Sequence, residues 1–149
     1  MKVISELLDY TINAPNRINV FTANNEVIGG RLIMGGGAAL ACARAYPGIE
    51  ELLGDRITER IWEDGFYGYI HVDFKGVSVG ALQTKCEVRF PSTEELVRRS
   101  CKKMASVAQA YGHLEFHVNS PGTGLGGLKE EDILPMIEKI FPDNVTVYV

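Results

Sequence analysis

The chain has 149 residues, 46% of them hydrophobic and 23% charged, with a formal net charge of -4. A chain of this size buries about 68–70% of its unfolded surface, so a single domain over residues 1–149 with its own core is expected. The composition excludes a disordered chain, the acidic balance argues against a protein held on nucleic acid mainly by charge, and no apolar run reaches the ~18 residues of a membrane helix.

Three cysteines, Cys42, Cys86 and Cys101, form no CxxC pair. They are expected to be reduced thiols of a cytoplasmic protein. The opening MKVISELLDY has acids where a signal peptide carries its apolar stretch.

In chain order, RINVF (17–21) predicts a buried strand. A loop containing Asn24, Asn25 and the glycines Gly35, Gly36 and Gly37 follows, and then an alanine-rich helix that Pro47 and Gly48 stop near Tyr46. FYGYIHVDF (66–74) and VSVGALQTKCEV (77–88) read as two strands around Lys75-Gly76. Residues 92–111 predict a helix with a Ser92–Glu95 capping box and a core stripe of Val97, Cys101, Met104, Ala108 and Tyr111. HLEFHVNS (113–120) alternates as a strand, with Leu114, Phe116 and Val118 on one face. A second glycine loop, PGTGLGG (121–127), leads into a helix over 129–141 whose Ile133, Ile137, Ile140 and Phe141 share one side. NVTVYV closes the chain as a strand.

Alternating strands and helices predict an α/β three-layer α/β/α sandwich with a mixed sheet. Both glycine loops join the carboxyl end of a strand to a helix. Such junctions aim backbone N–H groups and a helix dipole at one spot, which suits phosphate. The other reading of the glycines is tight turns alone. Neither a P-loop nor a dinucleotide fingerprint is present, since GTGLGG (122–127) opens no strand–helix unit near the N-terminus.

The joint pattern resembles the macrodomain family, the ADP-ribose-binding module. LIMGGGAALACARAYPGIEELLG (32–54) is similar to the family stretch where a Met-Gly-x-Gly turn opens a helix. PGTGLGGLKEEDILPMIEKIF (121–141) is similar to its second ligand loop and the helix after it. Within the family the likeness is greatest to hydrolases that use a lysine, the terminal ADP-ribose protein glycohydrolase and the DNA ADP-ribosyl glycohydrolase antitoxins. The pair Thr84-Lys85 stands at the matching place. The protein-directed enzyme carries an aspartate in its second loop, where this chain has Gly126; the L-G-G-L of the DNA-directed antitoxins looks more like Leu125–Leu128. The family acid that contacts adenine near the N-terminus is missing, with Asn13 as a loose substitute.

The resemblance implies ADP-ribose or an ADP-ribosylated macromolecule as partner, nucleic acid among the possible substrates, and no cofactor. It implies Lys85 as the nucleophile on the distal ribose. A partly desolvated lysine at a strand end can have a lowered pKa; the alternative is a lysine reaching for solvent. Asn24 is implied as a distal-ribose contact, against ordinary turn chemistry. Gly35, Gly36 and Gly37 would wrap that ribose and one phosphate. Thr123, Gly124, Leu125 and Gly126 would offer amides to the diphosphate. Tyr148 would lie beside adenine or pack in the core.

His113, Glu115 and His117 alternate on one predicted strand, but three ligands on a flat face cannot wrap an ion tetrahedrally, so no metal is expected. Cys86 reads as a buried thiol. Arg98, Arg99, Lys102 and Lys103 form a basic strip that is either a solvated face or a weak guide for a nucleic-acid strand. Two functions stay open: a glycohydrolase that removes ADP-ribose from nucleic acid or protein, and a non-catalytic domain that reads or sequesters ADP-ribose or a related nucleotide signal.

Overall fold

The computed structural model describes residues 1–149. Its elements are strands β1 (Lys2–Ile4), β2 (Arg17–Ala23), β3 (Val27–Ile28) and β4 (Arg31–Leu32), helices α1 (Gly37–Ala45) and α2 (Ile49–Arg60), strands β5 (Tyr69–Phe74) and β6 (Val77–Gln83), helix α3 (Glu94–Ala110), strand β7 (Glu115–Asn119), helix α4 (Glu130–Glu138) and strand β8 (Val145–Tyr148). Six strands form one sheet in the order β1-β8-β7-β2-β6-β5. Every neighbouring pair is parallel except β5–β6, which meet at the left-handed turn Lys75 (φ 51)–Gly76 (φ 83). The expected strands 18–21 and 114–118 lie side by side at the centre, with Ile18 opposite Phe116.

Strand alternation sorts the core into two layers. Phe21 and Ala23 of β2 join Cys42 of α1 and Ile49, Leu53 and Ile57 of α2 on one face. Ile18 and Val20 join Val97, Cys101 and Met104 of α3 and Ile133 and Ile137 of α4 on the other. This is the predicted α/β/α sandwich with a mixed sheet. No helix is long and apolar enough to cross a membrane.

Several local expectations are corrected. The cap of α3 is Thr93, whose hydroxyl accepts from the Leu96 N–H at 3.3 Å. Ser92 is instead drawn into the second glycine loop, donating its N–H to the Gly126 carbonyl at 3.0 Å. Tyr111 lies at the C-cap, where the backbone leaves the helix, and is 47% exposed rather than in the core. The strand expected over 66–74 begins at Tyr69, because the N–H groups of Tyr67 and Gly68 go to the Gln83 side chain and not to a ladder. The strand expected over 77–88 stops at Gln83. Helix α2 and the edge strand β1 were not expected. Helix α2 follows Gly48 (φ 94), has acids in its first turn, and buries Ile49, Leu53 and Ile57 at a spacing of four.

Candidate functional site

Parallel strands β2, β6 and β7 end on the same side of the sheet, and a cleft opens there. This is the crevice beyond the carboxyl ends of the strands that α/β sheets use for ligands. The segments after all three strands contribute to it. From the first loop come Asn24 and Gly35–Gly37, from the end of β6 Thr84 and Lys85, and from the second loop Ser120, Gly124, Leu125 and Gly126.

The first loop delivers the N-terminus of α1 to the cleft. Gly36 caps it without a side chain, and Ala38 and Ala39 line the wall. The first N–H groups of a helix have no partner within it and carry the positive end of its dipole. With no side chain in the way, they are open to an anion. The second junction differs from expectation. Helix α4 starts with Glu130, Glu131 and Asp132 in its first turn, and none of the three lines the cleft. The loop folds back on itself through Leu128 N–H to the Gly122 carbonyl (2.9 Å), so it offers loop backbone and not a helix end.

The two loops approach each other over the cleft. A Cβ on Gly36 would lie 2.8 Å from Leu125 Cδ1, so Leu125, 76% exposed, reaches across the mouth as a roof. Gly126 is held from beneath. A Cβ there would collide with Ser92 Oγ and come within 2.6 Å of the Gly122 carbonyl oxygen. The loop therefore has no room for a side chain at the position where the resemblance puts the aspartate of protein-directed enzymes.

Lys85 follows β6 and is half-buried, with Nζ 3.5 Å from the Val88 carbonyl. Lys85 is the only titratable side chain that lines the cleft, which holds no carboxylate and no histidine. Asn24 is buried, and its amide already serves the loop. Nδ2 donates to the Ile33 carbonyl (2.9 Å), and Oδ1 accepts from the Glu26 N–H (2.7 Å). One N–H and one lone pair remain unused.

Two expected residues do not line the cleft. Thr123 turns its hydroxyl back onto the Ser120 carbonyl at 3.3 Å. Tyr148 pairs its hydroxyl with Nδ1 of His117 at 2.8 Å and packs against the α1–α2 side of the core. Burial, then Arg17, holds His117 below the ordinary histidine range. His117 sits 3.8 Å from Glu115, whereas His113 lies in the turn before β7 against Tyr111, so the three do not share a face. Asn13 precedes β2 and accepts from the Tyr46 hydroxyl (2.8 Å) at the opposite end of the sheet from the cleft. It cannot substitute for an adenine-binding acid. Cys86 is half-buried and not fully buried; Cys42 and Cys101 are buried, which pushes both thiols well up.

Sequence reasoning missed Asn119 and Ser120. Asn119 accepts from the Thr22 N–H (3.2 Å) and donates to the Thr22 hydroxyl (3.0 Å), tying β7 to β2 at the floor. Ser120 is buried at the cleft with its hydroxyl unpartnered. Their position as the last residues of a central strand was the available signal.

No protein-family model matches the chain, and no curated protein matches it. Solved structures do. The macrodomain of Thermus aquaticus DarG superposes with a TM-score of 0.77 at 22% identity, over 99% of this chain and 97% of that one. The macrodomain of Mycobacterium tuberculosis DarG gives 0.74 at 21% identity, over 98% and 96%. Thermosipho africanus DarTG in complex with ADP-ribose gives 0.71 at 17% identity, over 91% of this chain and 38% of that one.

Proposed function

We propose, from the premise that this chain has the macrodomain fold, that it binds ADP-ribose and hydrolyses an ADP-ribosyl bond through Lys85. The observation that carries this is the convergence of two glycine loops and one lysine on a single cleft otherwise lined by uncharged groups. The free N–H groups at the start of α1 and the backbone of Gly124–Gly126 suit a diphosphate. Lys85 stands at the wall where the distal ribose would end. In its unprotonated form the Lys85 amine attacks C1″ of that ribose, and the bond from C1″ to the macromolecule breaks. Ring opening leaves a Schiff base on the lysine, and water then releases ADP-ribose and restores the amine. Because the cleft holds no carboxylate or histidine, protons must pass through water or the ligand's own phosphates. General acid–base groups typically contribute about 10²–10⁴-fold, so substrates with good leaving groups are favoured.

That same lack of a carboxylate favours a second reading, a binder that reads or sequesters ADP-ribose without turnover. Titration calorimetry with ADP-ribose, ADP and AMP is the first test of both. ADP-ribose is expected to bind more tightly than ADP, because the distal ribose adds contacts at the Lys85 end. No heat with ADP-ribose at millimolar concentration would overturn the proposal.

A further inference from the structure

The two edges of the six-stranded sheet differ. Strand β1 closes one edge with 3 residues and carries Lys2, the short and charged form that keeps an edge from pairing. Strand β5 closes the other edge with 6 residues and has no proline and no lysine within it. Helices α2 and α3 pack against it, and no strand pairs with its outer side.

Which backbone groups face outward follows from the β5–β6 hairpin. The Gln83 N–H donates to the Gly68 carbonyl at 2.7 Å, and from there hydrogen-bonded and non-bonded pairs alternate along β5. Ile70, Val72 and Phe74 therefore bond to β6, and Tyr69, His71 and Asp73 turn their N–H and C=O groups away from it. The Tyr69 N–H is already spent on the Tyr67 carbonyl at 3.0 Å. The free donors of this edge are the N–H groups of His71 and Asp73. Both side chains also have capacity to spare. His71 pairs its Nδ1 with the Tyr69 hydroxyl at 3.2 Å, which leaves Nε2 without a partner. Asp73 is exposed and accepts from the Ser78 hydroxyl through Oδ1 alone, at 2.8 Å.

We propose that β5 is a homodimer interface, where a second copy of this chain pairs antiparallel about a two-fold axis at Val72 and joins the two sheets into one. The free groups select this register. With the axis at Val72, His71 faces Asp73 of the second copy on both sides of the axis. Each such pair exchanges both backbone hydrogen bonds and sets an imidazole against a carboxylate. Ile70 faces Phe74 of the second copy, apolar against apolar. An axis at Ile70 or His71 would call on the spent Tyr69 N–H. An axis at Asp73 would set that carboxylate against its own copy, and like charges directly opposite are destabilising. No residue of β5 lines the cleft, so the pairing draws on none of the groups assigned to ADP-ribose.

Sedimentation equilibrium over micromolar to millimolar protein is expected to show reversible association to twice the 16.4 kDa chain mass. Amide exchange followed by NMR is expected to slow at His71 and Asp73 as concentration rises, and to stay unchanged in β1. Asp73→Lys sets a cation against His71 of the second copy and is expected to weaken association about tenfold or more. Adding His71→Glu restores opposite charges across the axis and is expected to bring association back to within about threefold of wild type. Asp73 is exposed and His71 half-buried, so both variants are expected to keep the wild-type circular dichroism spectrum. A monomer at millimolar concentration overturns the proposal. So does a dimer whose His71 and Asp73 amides stay unprotected, a dimer that Asp73→Lys leaves intact, or a folded double variant that stays monomeric.

Discussion

Gly126→Asp is expected to lower ADP-ribose affinity by a hundredfold or more and to reduce thermal stability. The substitution places an acid where the resemblance puts the catalytic aspartate of protein-directed hydrolases, so a gain of activity would be the naive expectation. Packing decides otherwise. A Cβ at this position collides with Ser92 Oγ and lies 2.6 Å from the Gly122 carbonyl and 2.8 Å from Ser92 Cβ. Neither neighbour can retreat cheaply. Ser92 is buried, bonded to the Gly126 carbonyl, and adjoins the Thr93 cap of α3, while the Gly122 carbonyl accepts from Leu128. The loop must therefore move away from Ser92 and into the cleft, across the space that the diphosphate would take. Overpacking of this kind costs about 1–3 kcal/mol. For a domain of this size that is roughly 2–12 °C in Tm. Calorimetry with ADP-ribose and a melting curve check both effects; affinity within threefold of wild type would show that the loop tolerates a side chain.

Lys85→Ala is expected to abolish turnover of an ADP-ribosylated substrate while changing ADP-ribose affinity by less than about tenfold, or 1.4 kcal/mol. The asymmetry follows from geometry. The lysine supplies the only titratable side chain of the cleft, whereas on the proposed reading the backbone of the two glycine loops would supply most of the ligand contacts. Lys85→Arg should be equally inactive, since a guanidinium stays protonated and cannot attack C1″. Borohydride is expected to trap a covalent adduct on the wild type, seen by mass spectrometry on the peptide containing Lys85, and none on either variant. Suitable substrates are an ADP-ribosylated thymidine oligonucleotide and ADP-ribosylated glutamate. Full activity in Lys85→Ala would refute the lysine mechanism. Wild type that binds ADP-ribose but turns over neither substrate is the result that favours the binder.

Much of the architecture was local in origin and so readable from the chain. Strand β2 and strand β7 announce themselves by β-branched and alternating residues, α3 and α4 by apolar residues three and four apart, and the β5–β6 turn by Lys75-Gly76. Period-2 and period-3.6 patterns depend only on which face each residue presents, and that is a property of neighbours in sequence. The placement of two glycine loops at strand ends was likewise visible, whereas Asn24 and Lys85 were expected beside Gly35, Gly36 and Gly37 only because the family resemblance implies it.

What the tertiary structure alone decided are facts about residues far apart in sequence. Helix α2 had no cap to mark it and is a helix because Ile49, Leu53 and Ile57 find the sheet. Ser92 read as a helix cap and became the floor beneath Gly126, a contact across more than thirty residues that no local pattern encodes. Tyr148 read either as an adenine neighbour or as a core residue, and only the fold pairs its hydroxyl with His117 of the adjacent strand and packs it against the core. The turn after α2 carried no motif, and only the fold shows that the side chains of Gln83 and Asn25 tie its Gly65 carbonyl to the segments beside the cleft. Backbone propensity and hydrophobic period act over a few residues, but the partner of a buried hydroxyl, a carbonyl or an aromatic face is set by where the sheet brings distant segments together.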